Sequence, residues 1–192
     1  HGDTAPFLDS GDARRQRMMV THRILLGTRN PAKIDDVRTF LRRLPVKVLT
    51  PNDFRIDKEV NECGQSPEEN AGLKAKAYFA ASGIPTLAID AGLRIDRFPD
   101  EKQPGVYVRR VSSAVRDVTD AELIDYYARE LEKVGGESPG SWTVALVLML
   151  SVARVFSTSF TLETLFTTNV SSKLRMGAPL SSLMLDPATG SY

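Results

Sequence analysis

The sequence predicts an α/β domain built on a mixed β-sheet. In the first half of the chain, short apolar runs alternate with segments that carry helix-start signals and helical spacing of apolar residues. In the second half, strand-forming runs follow one another with only short connections between them. Alternation of strands and helices favours parallel pairing, whereas consecutive strands favour antiparallel pairing, so both kinds are expected in one sheet.

The first half is predicted to contain four strands and two helices. The first helix covers residues 31–43, because Pro31 suits a first helical position and apolar residues then recur at helical spacing. The second helix runs from a capping box at Ser66, Pro67 and Glu69 to about residue 82. The strands are residues 22–27, 46–49, 86–89 and 93–98, the last being a hairpin partner or an extension of the third.

The second half is predicted to be one helix followed by strands. A capping box at Thr119 and Glu122 begins the helix. Residues 50–53 and 135–141 are predicted as loops, and strands are expected at residues 142–150, 154–160 and 161–166. The apolar run 144–150 is far shorter than the ~20 residues that a membrane-spanning helix needs, which favours a buried central strand.

Composition excludes several classes of function. The chain has 192 residues and a net charge of +1, without the basic stripe of a nucleic-acid-binding protein. No membrane segment is expected. Cys63 is the single cysteine, which excludes an internal disulfide and fits a reducing compartment, so a cytoplasmic location is expected.

The beginning of the chain is interpreted as an expression leader. Residues 1–17 start without methionine and are rich in Gly, Asp, Arg and Pro, so the natural start is expected at Met18 or Met19. Residues 18–192 are then a single domain. Without His1, only His22 remains, and a histidine-based metal centre or a catalytic triad is excluded.

An anion site is predicted between the first strand and the first helix. The segment that contains Thr28, Asn30 and Lys33 joins an apolar strand to a helix start. Backbone N–H groups at a helix N-terminus, side-chain donors and an ammonium would converge there. The turn lacks the glycine framework of a Walker loop, so a phosphate held there needs help from elsewhere in the chain.

Two further clusters carry candidate residues. Asn70 and Lys74 lie four residues apart on a predicted helix and therefore share one face. Two polar residues on one face can also be explained as an ordinary solvated surface without a function. Asp90 follows an apolar strand; it is either a turn residue or a ligand at the carboxyl end of a strand. With Glu62, these residues combine lysines for a polyphosphate with carboxylates for Mg²⁺. The combination suggests metal-assisted attack of water on a nucleotide phosphate.

Four motifs in sequence resemble those of the inosine triphosphate pyrophosphatase family. The family pattern Thr-x-Asn-x-x-Lys is matched by Thr28, Asn30 and Lys33. The pattern Glu-x-Gly followed by Glu-Asn-Ala-x-x-Lys-Ala is matched by Glu62, Gly64, Glu69, Asn70, Ala71, Lys74 and Ala75. Asp-Asp-Ser-Gly-Leu is matched in part, by Asp90, Gly92 and Leu93. Pro-Gly-Val-Tyr-x-x-Arg is matched by Pro104, Gly105, Val106, Tyr107 and Arg110. Order and spacing agree over nearly half of the chain.

The resemblance implies a fold, a reaction and a role for each residue. The fold is an elongated mixed β-sheet flanked by helices. The reaction is Mg²⁺-dependent cleavage of a nucleoside triphosphate into monophosphate and pyrophosphate, on inosine, xanthosine or deoxyinosine nucleotides, by a homodimer. Glu62 and Asp90 would hold Mg²⁺, and Asp90 would also activate water. Substrate contacts are implied for Thr28, Asn30, Lys33, Lys74, Ala91 and Arg110.

The chain departs from the family pattern at three places. Ile89 replaces a second acid, and Ala91 replaces a serine that contacts substrate. Residues 176–184 replace a Gly-Phe-Gly-Tyr/Trp-Asp-Pro loop that reads the purine, and they contain no aromatic residue. A late Ser-His-Arg motif is not found, which indicates a chain truncated after Tyr192 or a divergent relative. A nucleotide sensor without turnover, or a pyrophosphatase for a different nucleotide, are therefore alternatives.

Overall fold

A computed structural model describes residues 22–57, 60–111 and 118–192. Residues 1–21, which include the proposed leader and the expected start at Met18 or Met19, lie outside the described residues, as do residues 58–59 and 112–117. Six strands and three α-helices occur in the described part of the chain. The strands are β1 His22–Leu26, β2 Val46–Leu49, β3 Thr86–Ile95, β4 Glu137–Ser151, β5 Arg154–Thr167 and β6 Met184–Leu185. The helices are α1 Pro31–Leu41, α2 Pro67–Ser82 and α3 Asp120–Glu132.

The strands form one mixed sheet with the order β2-β1-β3-β4-β5-β6. Strand β1 pairs in parallel with β2 and β3, and the pairs from β3 to β6 are antiparallel. The α/β mixed sheet flanked by helices is therefore confirmed. Parallel pairing occurs in the first half of the chain, where helices alternate with the strands, whereas β3 and β4 pair antiparallel although α3 lies between them.

Helix α2 packs closely on the sheet because small residues face each other. Ala71 and Ala75 of α2 pack in one cluster with Ala88 of β3 and Ala145 of β4, and all four are at most 1% exposed. A second cluster joins α3 to β3, β5 and a 3-10 helix at Pro179–Leu183. The approach of α2 brings its polar side chains to β3.

Both predicted helix starts for α2 and α3 occur. Ser66 Oγ accepts from the backbone N–H of Glu69 at 3.2 Å, but the Glu69 carboxylate accepts from the N–H of Gln65 instead of closing the box on Ser66. At α3, the capping box of Thr119 and Glu122 is complete. None of the described helices combines the length and apolar character needed to cross a bilayer.

Several predicted boundaries are wrong. Of the two alternatives for residues 93–98, an extension of strand 86–89 is confirmed and a hairpin partner is wrong, since β3 pairs continuously with β4 from Thr86 to Ile95. Most of the predicted loop 135–141 is strand, because β4 begins at Glu137 opposite Thr167. Pairing likewise merges 154–160 and 161–166 into β5. The predicted loop 50–53 is mainly a 3-10 helix, and α1 ends at Leu41.

Candidate active site

The turn between β1 and α1 is ordered by its own side chains. Asn30 is the N-cap of α1, and its Oδ1 accepts from the backbone N–H of Lys33 at 3.2 Å. Thr28 Oγ1 accepts from the backbone N–H of Asn30 at 3.1 Å. Pro31 at the first helical position fixes a backbone angle that suits a helix start. The predicted geometry of a helix N-terminus at the end of a buried strand is present.

Helix α2 buries Asn70 and Lys74 instead of exposing them. Asn70 is 1% exposed and Lys74 is 8% exposed, so the interpretation of these two residues as a solvated surface is wrong. The reason is the small-residue packing of α2, which presses this face onto the sheet. Asn70 Oδ1 accepts from the N–H of Gly64 at 2.9 Å and thereby fixes the segment that carries Glu62.

Two lysines and two carboxylates meet at one point. Lys74 Nζ lies 2.7 Å from Asp90 Oδ1 and 2.8 Å from Glu62 Oε2. Lys33 Nζ lies 4.0 Å from the same oxygen of Asp90. These four side chains come from α1, the segment before α2, α2 itself and β3. The ammonium groups therefore lie on the same side of the sheet as Asp90.

Asp90 occupies the middle of β3, and not the end of a strand as the sequence suggested. The prediction placed Asp90 at a strand end because it ended the third strand at Ile89, whereas β3 continues to Ile95. Beside Asp90, however, the neighbouring strand β1 has already ended at Leu26. The backbone edge left free there is used by Lys33, whose Nζ donates to the carbonyl of Ile89 at 3.3 Å. The polar site thus lies at the end of β1 and along an uncovered edge of β3.

The two lysines experience different electrostatics. Burial and the nearby Lys74 lower the pKa of Lys33, against a smaller opposing effect of Asp90 and Glu62. Burial also disfavours the charged form of Lys74, but direct contact with Asp90 and Glu62 outweighs it and raises the pKa of Lys74. The cluster therefore favours the charged form of Lys74. An additional negative group, such as a phosphate, would favour the charged form of Lys33.

The carboxylates fit a hard divalent cation that shares its ligands with a substrate. Asp90 Oδ2 is buried and has no hydrogen-bond partner in the described part of the chain, although Asp90 Oδ1 is paired. An unpartnered buried carboxylate oxygen is costly unless a ligand completes it. Residues 22–57, 60–111 and 118–192 contain no group of three or more His, Cys, Asp or Glu residues suited to a metal. Two carboxylates suffice for Mg²⁺ when phosphate and water supply the remaining oxygens.

Two predicted substrate contacts lie outside this cluster. Ala91 follows Asp90 in the same strand, so its side chain lies on the opposite face of the sheet. The Arg110 guanidinium lies over the Tyr107 ring, 4.5 Å from its centroid. Among the described residues, Arg110 has no ion pair with the four clustered side chains.

A cavity beside the cluster contains residues that the sequence did not single out. It has a volume of about 260 Å³, and its walls include Thr28, Glu62 and Lys74 together with Arg29 and Tyr78. Tyr78 lies one turn after Lys74 on α2, and helical spacing from Lys74 could have identified it. Arg29 lies within the predicted anion turn and donates to the carbonyl of Ile56.

A sheet that gathers a helix N-terminus, two lysines and two carboxylates at one place defines an α/β protein with an anion-binding site. The chain belongs to the Ham1 family, whose model matches residues 24–165. The family resemblance carried by the four motifs is thereby confirmed.

Individual relatives match part of the chain. It is 38% identical over 87 residues to a dITP/XTP pyrophosphatase of Leptospira interrogans, covering 45% of this chain and 43% of that protein. It is 37% identical over 114 residues to a dITP/XTP pyrophosphatase of Geobacter sulfurreducens, covering 58% and 54%. The chain thus spans about half the length of these curated relatives.

Solved structures support the fold over most of the chain. A HAM1 protein from Coxiella burnetii superposes with a TM-score of 0.71 at 24% identity, covering 88% of this chain and 84% of that one. The Ham1 protein of Staphylococcus aureus gives a TM-score of 0.65 at 20% identity, covering 88% and 83%.

Proposed function

We propose that the chain is a Mg²⁺-dependent nucleoside triphosphate pyrophosphatase. The observation that carries this proposal is the contact of the Lys74 ammonium with both Glu62 and Asp90, with the Lys33 ammonium 4.0 Å from the same oxygen of Asp90. Two lysines suit a polyphosphate, and two carboxylates that contact the same ammonium group suit the cation that accompanies the polyphosphate. The names of the relatives, dITP/XTP pyrophosphatase, agree with this chemistry.

The phosphate groups would be held from two sides. The N–H groups at the start of α1, with Thr28, Asn30 and Lys33, would bind from one side, and Lys74 would bind from the other. Lys33 gains most from a phosphate, because burial and Lys74 lower its pKa in the absence of one. Lysine charge near the departing pyrophosphate would lower the barrier by offsetting the charge that develops there.

Glu62 and Asp90 would hold Mg²⁺, with Asp90 also accepting a proton from the attacking water. In the reaction, a water oxygen bonds to the α-phosphorus while the bond from that phosphorus to the α,β-bridging oxygen breaks. The products are a nucleoside monophosphate and pyrophosphate. When bound, Mg²⁺ would supply electrostatic stabilisation of the charge on phosphate oxygens.

Abnormal purine nucleotides are the proposed substrates. Inosine, deoxyinosine and xanthosine triphosphates follow from the family resemblance, with Ala91 and Arg110 as additional proposed contacts. Removal of such nucleotides from a cytoplasmic pool would be the physiological role. Neither nucleic acid nor a membrane is proposed as a partner, which the net charge of +1 supports.

A substrate panel with product identification tests the proposal. The purified chain is incubated with Mg²⁺ and inosine, deoxyinosine, xanthosine, adenosine, guanosine and cytidine triphosphates. We expect monophosphate and pyrophosphate in equal amounts, with the first three substrates favoured. Diphosphate and inorganic phosphate as the products would contradict the proposed bond cleavage, and preference for another base would indicate a different nucleotide substrate.

A nucleotide sensor of the same fold is the second candidate. Ile89 and Ala91 replace two polar residues of the family pattern, and residues 176–184 offer no aromatic side chain for a base. Calorimetry beside the product assay separates the candidates, because binding of a triphosphate without release of pyrophosphate favours the sensor.

We also propose that the chain forms a homodimer, as the family resemblance implies. One face of β5 supports this: Phe156, Phe160 and Leu162 lie at alternate positions and are 54%, 47% and 51% exposed. Contiguous exposed apolar side chains mark interaction surfaces. In a two-fold dimer the same surface patch of each subunit packs against the other, and an apolar patch suits such packing.

A further inference from the structure

A strap at residues 175–177 crosses the first turn of α1. Arg175 Nη2 donates to the carbonyl of Ala32 at 3.0 Å and to Asp36 Oδ1 at 2.6 Å. The carbonyl of Gly177 accepts from Asn30 Nδ2 at 2.7 Å, across 147 residues of sequence. The strap overlaps the start of residues 176–184, which replace the purine-reading loop of the family pattern, and here it contacts the turn between β1 and α1.

The bond from Gly177 leaves Asn30 with a fixed orientation. Its Oδ1 is occupied by the backbone N–H of Lys33, and one N–H of its amide is occupied by Gly177. An amide has two N–H donors, so one donor remains for a ligand in a direction set by the two other bonds. A flexible side chain would lose freedom on binding phosphate, whereas this one has already lost it.

Only glycine fits at position 177. Its φ is +82°, and an added Cβ would lie 2.6 Å from Asn30 Oδ1 and 2.9 Å from Pro31 Cδ. A side chain there would therefore displace either the strap or the Asn30 amide.

Asp120 fixes the strap from the other side. Its Oδ2 accepts from the N–H of Gly177 at 3.2 Å, and its Oδ1 accepts from Arg109 Nη2 at 2.5 Å. Burial alone would raise the pKa of Asp120, but the bonds from Arg109 and Gly177 outweigh it and lower that pKa. The strap is thus held between an ionised carboxylate on α3 and the N-cap of α1.

We infer that Gly177 and Asp120 are positioning residues, which orient Asn30 for the pyrophosphate portion of a ligand. This inference rests on the proposed function for the identity of the ligand. The bridge Asp120–Gly177–Asn30 itself is a property of the fold.

The test compares Gly177→Ala with Gly190→Ala. Gly190 also has positive φ, at +64°, but an added Cβ there meets nothing within 4 Å, so that variant carries the backbone strain without the contact. We expect Gly177→Ala to weaken magnesium pyrophosphate binding about tenfold in calorimetry and to raise KM more than it lowers kcat. Gly190→Ala should bind as the wild type does.

Amide hydrogen exchange at Asn30 and Lys33 is measured on the same proteins without ligand. We expect faster exchange at the Asn30 side-chain amide in Gly177→Ala and in Asp120→Ala, but not in the control Asp125→Ala, at an exposed position of α3. If Gly177→Ala does not fold, Asp120→Ala still tests the inference, because it removes the acceptor of the Gly177 N–H. Equal exchange and equal pyrophosphate binding in variant and control would overturn the inference. Failure of the wild type to bind or release pyrophosphate, with exchange changed as expected, would refute the proposed function and leave the bridge established.

Discussion

At Asp90, two oxygens of one carboxylate have different surroundings. Oδ1 lies 2.7 Å from Lys74 Nζ, whereas Oδ2 is buried without a partner among the described residues. The Lys74 ammonium donates to the first of these oxygens. The other oxygen remains an unused acceptor. The proposed roles of Asp90 as a metal ligand and as a proton acceptor both depend on this free oxygen.

Asn70 shows how a neutral residue positions a charged one. Its amide spans the peptide of Gly64, two residues after Glu62, and it is almost completely buried. We expect Asn70→Ala to lower the free energy of unfolding by about 1–3 kcal/mol, because a buried N–H loses its acceptor. Urea unfolding measures this. Asn52→Ala, at an exposed residue, is the control; equal losses in both variants would refute the role of Asn70.

The residue types of the site were predictable, but their surroundings were not. Thr28, Asn30 and Lys33 could be identified because cap, proline and lysine spacing is local information. The burial of Lys74 depends on alanines that permit close approach of α2, and no local pattern reports that. Gly177 was not predicted as part of the site because its partner Asn30 lies 147 residues earlier.

Among the elements, α2 and β4 show where periodicity fails. The buried face of α2 includes Asn70, Lys74 and Tyr78, whereas Leu73 is 36% exposed, so apolar spacing does not identify the side that packs. The first residues of β4 are rich in Gly, Ser and Pro and predict a loop. Pairing with β5 from Glu137 onwards, and with β3 from Gly140 to Met149, overrides that local preference.

The β4–β5 hairpin carries the prediction that concerns association. We expect the 21.1 kDa chain to have twice that mass in light scattering, and Phe160→Glu to convert the dimer into a monomer. A glutamate at position 160 would bury an unpaired charge in an apolar interface, which destabilises the contact.

Val155→Glu is the matched control for this prediction. Val155 is 51% exposed and lies on the opposite face of the same strand. Its variant should remain dimeric. A monomeric wild type would exclude the dimer, and dissociation by both variants would show that the proposed face is not specific.

On the scale of the whole molecule, the fold assembles one site from distant parts of the chain. Lys33, Glu62, Lys74 and Asp90 come from separate elements around the end of β1, and the strap near Gly177 joins the last part of the chain to the first helix. The mixed sheet could be predicted because helices and strands alternate only in the first half. The strap could not, since its contacts with the N-terminal end of α1 and with Asp120 join residues that lie far apart in the sequence.

The central claim is that Asp90 serves hydrolysis at this four-residue cluster, and pyrophosphate release by Asp90→Asn tests it most directly. The control is Asp96→Asn, which changes an exposed aspartate just beyond β3. With inosine triphosphate and Mg²⁺, we predict at least about a hundredfold slower release for Asp90→Asn, since it removes the proton acceptor and a charge from the site. Asp96→Asn should match the wild type. Wild-type release by a folded Asp90→Asn variant would contradict the account.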